Sequence, residues 1–192
     1  MKKLFLIACI SITFSGWAQQ WAKQYESVDD CICGLALVKK DGKKGYVDKE
    51  GKLIVPLVYD DAMHFAEGYA PVAKKGVWGY LDSTGKEVVS LQYADAMPFA
   101  EGLALVLKGT HYGFIDKTGK LKIPFVYDNA SSFSEGFAAV SKNGLYGYIN
   151  KSGEVVIPLK YAYAVSFSDG AGRVKKNGKW YTVDHNGKET AQ

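Results

Sequence analysis

The chain has few of the residues on which most catalytic and metal sites depend. Its 192 residues include only three histidines, three cysteines and five prolines. It contains no phosphate loop, dinucleotide-binding fingerprint, zinc-ligand spacing or nucleophile elbow. His64, His111 and His185 fall at unrelated positions of the repeat described below. We therefore expect a protein that is not an enzyme, with no catalytic residues, no metal site and no cofactor.

No apolar run after the amino-terminal segment reaches the roughly 18 to 20 residues that a membrane-spanning helix requires. At the amino terminus, two lysines precede an apolar stretch from Leu4 to Phe14, and a Gly-Trp-Ala tripeptide ends at Ala18. This pattern predicts a signal peptide over 1–18. A lipid anchor on Cys9 is the alternative, although the apolar residues continue past it. We expect an exported protein of the periplasm, cell surface or exterior.

The charge balance gives no reason to expect nucleic acid as a partner. Without the two lysines of the predicted signal peptide, the net charge falls from +4 to about +2. The remaining basic residues occur singly or in pairs beside glycines, as at solvated hairpin tips. A nucleic-acid-binding domain would concentrate them in one patch or stripe.

The sequence repeats with a constant period of 34 residues. Glycine recurs at Gly34, Gly68, Gly102, Gly136 and Gly170. Tyrosine, alanine and phenylalanine follow the same step at Tyr59, Tyr93, Tyr127 and Tyr161, at Ala62, Ala96, Ala130 and Ala164, and at Phe65, Phe99, Phe133 and Phe167. A fixed period of this length indicates a repeat architecture. We divide the chain into a partial repeat at 19–33, full repeats at 34–67, 68–101, 102–135 and 136–169, and a partial repeat at 170–192.

Each repeat is predicted to contain three strands and a packed connector. In the first, these are Leu35 to Val38, Gly45 to Asp48 and Leu53 to Pro56, followed by a connector from Tyr59 to Glu67. An Asp-Gly pair between the first two strands indicates a two-residue hairpin. Ala36 and Val38 are expected to face the core, and alternate positions such as Leu37 to be partly exposed. The predicted fold is all-β, with three-stranded meanders stacked into an elongated, twisted array, and a closed propeller-like ring is the alternative.

Two stretches carry a resemblance to a known family. Residues 75–85, with the sequence KGVWGYLDSTG, and residues 146–153, with YGYINKSG, resemble the WG-repeat family of bacterial proteins. The resemblance covers nearly all of 21–188 and implies an exported or surface-exposed β-repeat protein. The chain departs from the pattern at Lys44, at Ser90 and at Tyr181. The stretch 177–181 also resembles choline-binding cell-wall repeats, although their period is different.

One aromatic position of the repeat is the candidate binding site, at Trp78, Tyr112, Tyr146 and Trp180. On an outer face these rings would form a ladder that stacks on sugars or inserts into a protein partner. Packing between repeats is the competing interpretation. The predicted function is a non-catalytic binding or scaffold module of the bacterial envelope that recognises a protein or glycan. The alternatives are a cell-wall-acting enzyme and a structural envelope protein without a ligand.

Two further patterns leave structural and functional interpretations open. Cys31 and Cys33 are compatible with a strained disulfide, half a metal site or two buried thiols, and the alignment of Cys31 with the phenylalanine position favours packing. An acidic position recurs at Asp48, Asp82, Asp116 and Asp184. Each repeat supplies one such carboxylate, whereas a calcium loop needs several oxygen ligands. Turn capping is therefore favoured.

Overall fold

A computed structural model of the protein describes residues 20–191. The predicted signal peptide 1–18, with Cys9, lies outside the described residues. The described part has one short 3-10 helix at Gln20–Gln24 and five antiparallel sheets of four strands each. In each sheet the strands are neighbours in chain order. None of the described helical residues forms a helix long and apolar enough to cross a membrane.

The first three sheets have the same strand lengths at intervals of one repeat. Sheet 1 contains β1 (Ser27–Val28), β2 (Leu35–Lys40), β3 (Lys43–Asp48) and β4 (Leu53–Tyr59). Sheet 2 contains β5 (Asp61–Ala62), β6 (Tyr69–Lys74), β7 (Val77–Asp82) and β8 (Glu87–Tyr93). Sheet 3 contains β9 (Asp95–Ala96), β10 (Leu103–Lys108), β11 (His111–Asp116) and β12 (Leu121–Tyr127).

The last two sheets differ from each other at their outer strands. Sheet 4 contains β13 (Asn129–Ala130), β14 (Phe137–Lys142), β15 (Leu145–Asn150) and β16 (Val155–Tyr161). Sheet 5 contains β17 (Tyr163–Ser168), β18 (Ala171–Lys176), β19 (Lys179–Val183) and β20 (Glu189–Ala191). Its first strand is longer and its last strand shorter than those of sheet 4.

The prediction of three strands per sheet is wrong because the connector supplies a fourth. Asp61 and Ala62 pair with Ala73 and Val72, so the start of the connector forms the short first strand of the next sheet. Only Asp60 separates this strand from β4. The chain therefore passes from one sheet directly into the next, and 34 residues suffice for four strands.

The prediction that proline ends the third long strand is wrong. β4 continues through Pro56 to Tyr59, and Lys44 pairs with Tyr59 beyond it. β4 is the last strand of its sheet, so the missing N–H of proline faces an edge that needs no donor. The register shifts on either side of Tyr46 accommodate the extra residues.

A glycine in each of the first four sheets makes this irregular register possible. A Cβ atom on Gly45 would lie 2.5 Å from the carbonyl oxygen of Val55, and Gly79 has the same environment beside Val89. In sheet 5 this position is Tyr181, and the β19–β20 register is regular through Thr182. Sheet 5 lacks the irregular register and therefore does not need glycine at this position, which explains the departure from the repeat pattern at Tyr181.

The predicted turns are confirmed. Asp41 and Gly42 have φ values of 49° and 71°, the paired left-handed conformation of a type I′ hairpin. At the second turn, the Asp48 carboxylate accepts hydrogen bonds from the backbone N–H groups of Glu50 and Lys52 at 3.0 and 2.8 Å. Asp82, Asp116 and Asp184 make the same contacts in their own repeats. The recurring carboxylate caps a turn.

The hydrophobic core lies between consecutive sheets. The face of sheet 1 that carries Leu37 and Tyr46 packs against the face of sheet 2 that carries Ala70 and Val72. We call the first the forward face and the second the rear face. Both faces of an inner sheet are covered, so the predicted partial exposure of Leu37 and its equivalents is wrong in sheets 1 to 4: Leu37, Leu105 and Ala139 are all buried.

At three of the four junctions between consecutive sheets, a buried tyrosine hydroxyl donates a hydrogen bond to the following sheet. The Tyr46 and Tyr80 hydroxyls donate to the carbonyl oxygens of Met63 and Met97 at 2.6 and 2.8 Å. Tyr148 donates in the same way to Val165 at 2.7 Å. Burial raises the pKa of all three tyrosines well above the ordinary value. At the remaining junction the residue is Phe114, which has no hydroxyl.

A carboxylate at the repeat-end turn forms a second link between sheets. Glu67, Glu101 and Glu135 accept hydrogen bonds from the backbone N–H groups of Gly102, Gly136 and Gly170 in the following sheets, at 3.0 to 3.2 Å. A basic residue approaches each carboxylate, at Lys117, Lys151 and His185. These contacts explain why glutamate precedes the repeat glycine at Gly68, Gly102 and Gly136.

The rear face of sheet 1 is covered by the amino-terminal segment. Trp21 and Tyr25 pack against Ala36, Val38 and Val47. Trp21 lies over Gly51, where a Cβ atom would come within 2.3 Å of the indole. In the later repeats the equivalent glycine lies against a valine or isoleucine of the preceding sheet. Trp21 thus replaces a preceding sheet.

The predicted packing of Cys31 is wrong, since both Cys31 and Cys33 are exposed. In the other repeats the equivalent residue packs against the preceding sheet, as Phe65 does against Tyr46 with ring centroids 4.8 Å apart. No sheet precedes sheet 1 within the described residues, so Cys31 has no such surface to contact.

Candidate functional site

The four aromatic residues predicted as a binding ladder lie at the second position of a strand in sheets 2 to 5. Each is on the forward face, paired with an equivalent tyrosine in sheets 2 to 4. Trp78 is buried, with 8% exposure, against Ala96 and Phe99 of sheet 3. Tyr112, Tyr146 and Trp180 are half-buried. Trp78 is therefore inaccessible to a ligand, and the four rings do not share one open surface.

Tyr146 and Trp180 are brought together by a third ring that was not predicted. Tyr163, on β17, lies 5.2 Å from Tyr146 and 6.2 Å from Trp180 between ring centroids. Tyr163 is 47% exposed. We call these three residues and the space beside them the aromatic cleft. It lies at the junction of sheets 4 and 5.

The aromatic cleft encloses a volume of about 180 Å³. Its walls include both tyrosines of the cluster and small or polar side chains, at Asn129, Ser131, Ala139, Tyr146, Tyr163 and Ser166. Ser131 is hydrogen-bonded to the neighbouring strand β14. Its N–H donates to the Ala139 carbonyl at 2.9 Å, and its Oγ accepts from the Ala139 N–H at 3.1 Å. The cleft thus combines two tyrosine rings with small and polar side chains.

The cleft exists because this repeat has lost two large side chains. Position 131 is serine where the earlier repeats have Met63 and Met97, and position 139 is alanine where sheets 1 and 3 have leucine. At the preceding junction, Met97 and Tyr112 pack against the same hydrophobic cluster. Large-to-small changes in a packed region leave a cavity unless the surroundings collapse.

At the first junction, an ion pair takes the place of the contact between Tyr146 and Tyr163. There, Lys44 Nζ lies 2.6 Å from the Asp61 carboxylate. Lys44 and Tyr146 are equivalent positions, as are Asp61 and Tyr163. The last junction thus replaces charges with two rings. A sequence signal for Tyr163 was present, because its position reads Asp61, Asp95 and Asn129 in the other repeats.

The forward face of sheet 5 continues from the aromatic cleft and is polar. Cross-strand pairing places Tyr163, Lys175 and Trp180 in one row and Val165, Arg173 and Thr182 in the next. Arg173 and Val165 are exposed. The Arg173 guanidinium carbon lies 5.0 Å from the Trp180 ring centroid, a cation–π contact. A cation on this ring disfavours a quaternary ammonium ligand there.

The acidic group of sheet 5 beside this face is neutralised within the protein. Glu189 accepts from Lys160 and Lys176 at 2.9 and 3.0 Å and from the Tyr161 hydroxyl at 2.9 Å. The hydrogen bonds from the two lysines lower the pKa of Glu189 to about 2. The carboxylate is ionised at neutral pH and does not offset Arg173 or Lys175.

The three histidines lie apart. His64 follows β5, His111 begins β11 and His185 lies in the β19–β20 turn, where its ring stacks on Phe167 with centroids 5.0 Å apart. Within residues 20–191, no group of three or more histidine, cysteine, aspartate or glutamate side chains is arranged to hold a metal ion. The aromatic cleft is therefore the site with the most distinctive chemistry in this part of the chain.

Comparison with protein families identifies the repeat. The family model described as WG containing repeat matches residues 45–78, 78–109, 112–146 and 146–180. These matches cover most of the chain, which therefore belongs to this family. No curated protein sequence gives a significant match.

Several solved structures have a similar fold. A eukaryotic initiation factor aligns with a TM-score of 0.56 at 11% identity, over 88% of this chain and 57% of the other. Hsv2p of Kluyveromyces lactis aligns with a TM-score of 0.54 at 11% identity, over 85% of this chain and 62% of the other. The amino-terminal domain of Nup159 aligns with a TM-score of 0.50 at 11% identity, over 88% and 61%. These neighbours are β-propeller-like, and this chain spans less than two thirds of each.

Proposed function

We propose that this WG-repeat protein is a non-catalytic binding module of the bacterial envelope or exterior, and that its partner occupies the aromatic cleft. The observation that carries the proposal is Tyr163, a large ring left 47% exposed beside a cleft of about 180 Å³. Packing does not require this ring, because the other junctions have aspartate or asparagine at its position. Exposed aromatic side chains next to a cleft are typical of recognition sites.

The partner class is a protein or a glycan of the envelope, as the signal-peptide pattern at 1–18 indicates export. The similarity to propeller-like proteins supports a scaffold that presents a site between sheets, and it supports nothing about the identity of the partner. A cell-wall-acting enzyme is the less favoured alternative. It would need convergent acid and base groups, whereas the carboxylates of each repeat cap turns or link sheets.

We further propose that the five sheets form an open, curved array. Trp21 and Tyr25 cover the rear face of sheet 1, and the forward face of sheet 5 is polar at Arg173, Lys175 and Thr182. Terminal repeats of open arrays commonly have such caps. Small-angle X-ray scattering tests this proposal, since an open array gives a longer maximum dimension than a closed five-sheet ring. A scattering curve that fits a ring would contradict it.

Retention of envelope material by the immobilised protein tests the binding site. We expect wild-type protein to retain a component of the envelope fraction and Tyr163→Ala to lose it. Val58→Ala is the matched control, because Val58 is also an exposed strand residue, at 41%, but lies on β4 of sheet 1. Protease and glycosidase treatment of the fraction then assigns the partner class. Equal retention by wild type and Tyr163→Ala would contradict the proposed site.

A further inference from the structure

We propose that the ligand is an anionic polysaccharide, bound along the forward face of sheet 5 from Tyr163 toward Arg173. This inference rests on the proposed function and adds the chemical class of the ligand. Its basis is the combination of two rings, two cations and two threonine hydroxyls on a face where Tyr163, Arg173 and Thr190 are exposed.

The register of sheet 5 defines the surface. Lys175 lies between Tyr163 and Trp180 in one row, and Arg173 lies between Val165 and Thr182 in the next. Thr190 extends the second row beyond Thr182. The first row thus contains three side chains and the second four, and directly opposed residues of an antiparallel sheet have Cβ atoms about 5 Å apart. Rows of three and four side chains are suited to successive sugar rings of a polymer.

The two charged side chains in these rows are both cationic. Arg173 and Lys175 lie at the centre of the forward face, while Glu189, which pairs with the buried Val183, lies on the opposite face and is bound by Lys160 and Lys176. The Asp184 carboxylate accepts two backbone hydrogen bonds in its own turn. A guanidinium held against the Trp180 ring is oriented before binding and presents its N–H donors to a carboxylate or phosphate.

Solubility alone does not explain the composition of this face. A polar surface of either charge would protect a terminal sheet from self-association. Such a cap does not require Trp180 and Tyr163, two large rings in the same row as Lys175. Rings of this kind stack on the apolar faces of sugars, while cations and hydroxyls contact acidic groups and sugar hydroxyls.

A glycan accounts for these features better than an acidic peptide does. Peptides usually anchor through side chains that fill apolar pockets. The rows of sheet 5 instead offer ring faces, threonine hydroxyls and cations. An acidic protein partner would instead be indicated by binding of poly-glutamate in the experiment below.

Isothermal titration with polygalacturonate tests the inference. The matched probes are fully methyl-esterified polygalacturonate, which has the same sugar backbone without the charge, and poly-glutamate, which has the charge without the sugar. We expect wild-type protein to bind polygalacturonate, and to bind each of the other two about tenfold more weakly, equivalent to about 1.4 kcal/mol.

Two variants locate the site. Arg173→Gln with Lys175→Gln is expected to weaken polygalacturonate binding about tenfold, as is Trp180→Ala. Lys108→Gln with Lys142→Gln is the matched control, because it removes the same charge from exposed ends of β10 and β14. The control is expected to retain binding within about twofold. Urea midpoints of all variants establish that they are folded.

Each contrary outcome has a distinct meaning. Equal loss in the control pair would overturn the inference in favour of nonspecific attraction by net charge. Equal or tighter binding of poly-glutamate would overturn it in favour of an acidic protein. If polygalacturonate does not bind while retention of envelope material still depends on Tyr163, the polysaccharide inference fails and the proposed function stands. If that dependence on Tyr163 is also absent, the proposed function fails.

Discussion

Replacing Tyr80 by phenylalanine isolates one link between sheets 2 and 3. The Tyr80 side chain is fully buried, with 0% exposure, and its hydroxyl donates to the Met97 carbonyl at 2.8 Å. The ring contact with Phe99, 5.0 Å between centroids, needs no hydroxyl and remains in the variant. Phe114 already occupies the equivalent position of sheet 3, so the fold accepts this residue.

The expected loss follows from a single hydrogen bond. A buried neutral hydrogen bond contributes about 1 kcal/mol net, and leaving its acceptor unsatisfied adds to the loss, so we expect Tyr80→Phe to lower the free energy of unfolding by about 1 to 2 kcal/mol. For a protein of this size, each kcal/mol lowers the melting temperature by about 2 to 4 °C. Urea unfolding at pH 7 measures the difference directly.

A second observable separates the hydroxyl from the ring. Burial raises the pKa of Tyr80 above its ordinary value of 10.0, so the neutral phenol favours the folded state. Its contribution is fully present below pH 10 and is lost as the pH rises further. Tyr80→Phe should therefore lose less stability than wild type between pH 10 and 11. An unfolding free energy within about 0.3 kcal/mol of wild type at pH 7, together with an unchanged alkaline limb, would refute the reasoning.

Three further predictions concern the ends and links of the array. Trp21→Ala should lower the free energy of unfolding by about 2 kcal/mol because it uncovers the rear face of sheet 1, and this loss is smaller than that for truncating a fully buried tryptophan. Urea unfolding measures the difference, and no change would show that the segment is not a cap. Glu101→Gln should cost about 1 kcal/mol through its charge-assisted bond to the Gly136 N–H, whereas the exposed Glu87→Gln should cost almost nothing in the same assay. Glu189 has a lowered pKa, so its stabilisation is present above its ordinary value of 4.5 and is lost as the pH falls toward 2. Acid titration of Glu189→Gln should accordingly show a flatter loss of stability than wild type, and identical acid limbs would contradict the assignment.

The repeat, its turns and its family were predictable because they depend on local rules. The Asp41-Gly42 pair specifies a hairpin through backbone conformation alone, and Asp48 caps its turn through contacts within four residues. The number of strands was not predictable in this way. Asp61 and Ala62 become a strand only because the neighbouring sheet edge, at Val72 and Ala73, is present to pair with them.

The candidate site was partly predictable. Tyr146 and Trp180 were singled out by their repeat position, and two of the four proposed rings lie at the aromatic cleft. Burial of Trp78 depends on the following sheet, which the repeat pattern alone does not place. Tyr163 was missed because the repeat pattern is defined by constant positions, whereas this position reads Asp61, Asp95 and Asn129 before it becomes tyrosine. The cleft follows from differences between repeats, at Ser131 and Ala139, and not from their similarity.

Photo-crosslinking at position 163 tests the central claim most directly. An aromatic photoreactive amino acid, benzoylphenylalanine, replaces Tyr163 in one protein, so that a ring stays at that position, and Val58 in the other, since both side chains are exposed on strands, at 47% and 41%. Each protein is irradiated with the envelope fraction, and covalent adducts are resolved by mass. A binding site at the aromatic cleft predicts a discrete adduct from position 163 that is absent from position 58. The same adducts from both positions, or none from position 163 while envelope material is still retained, would contradict it.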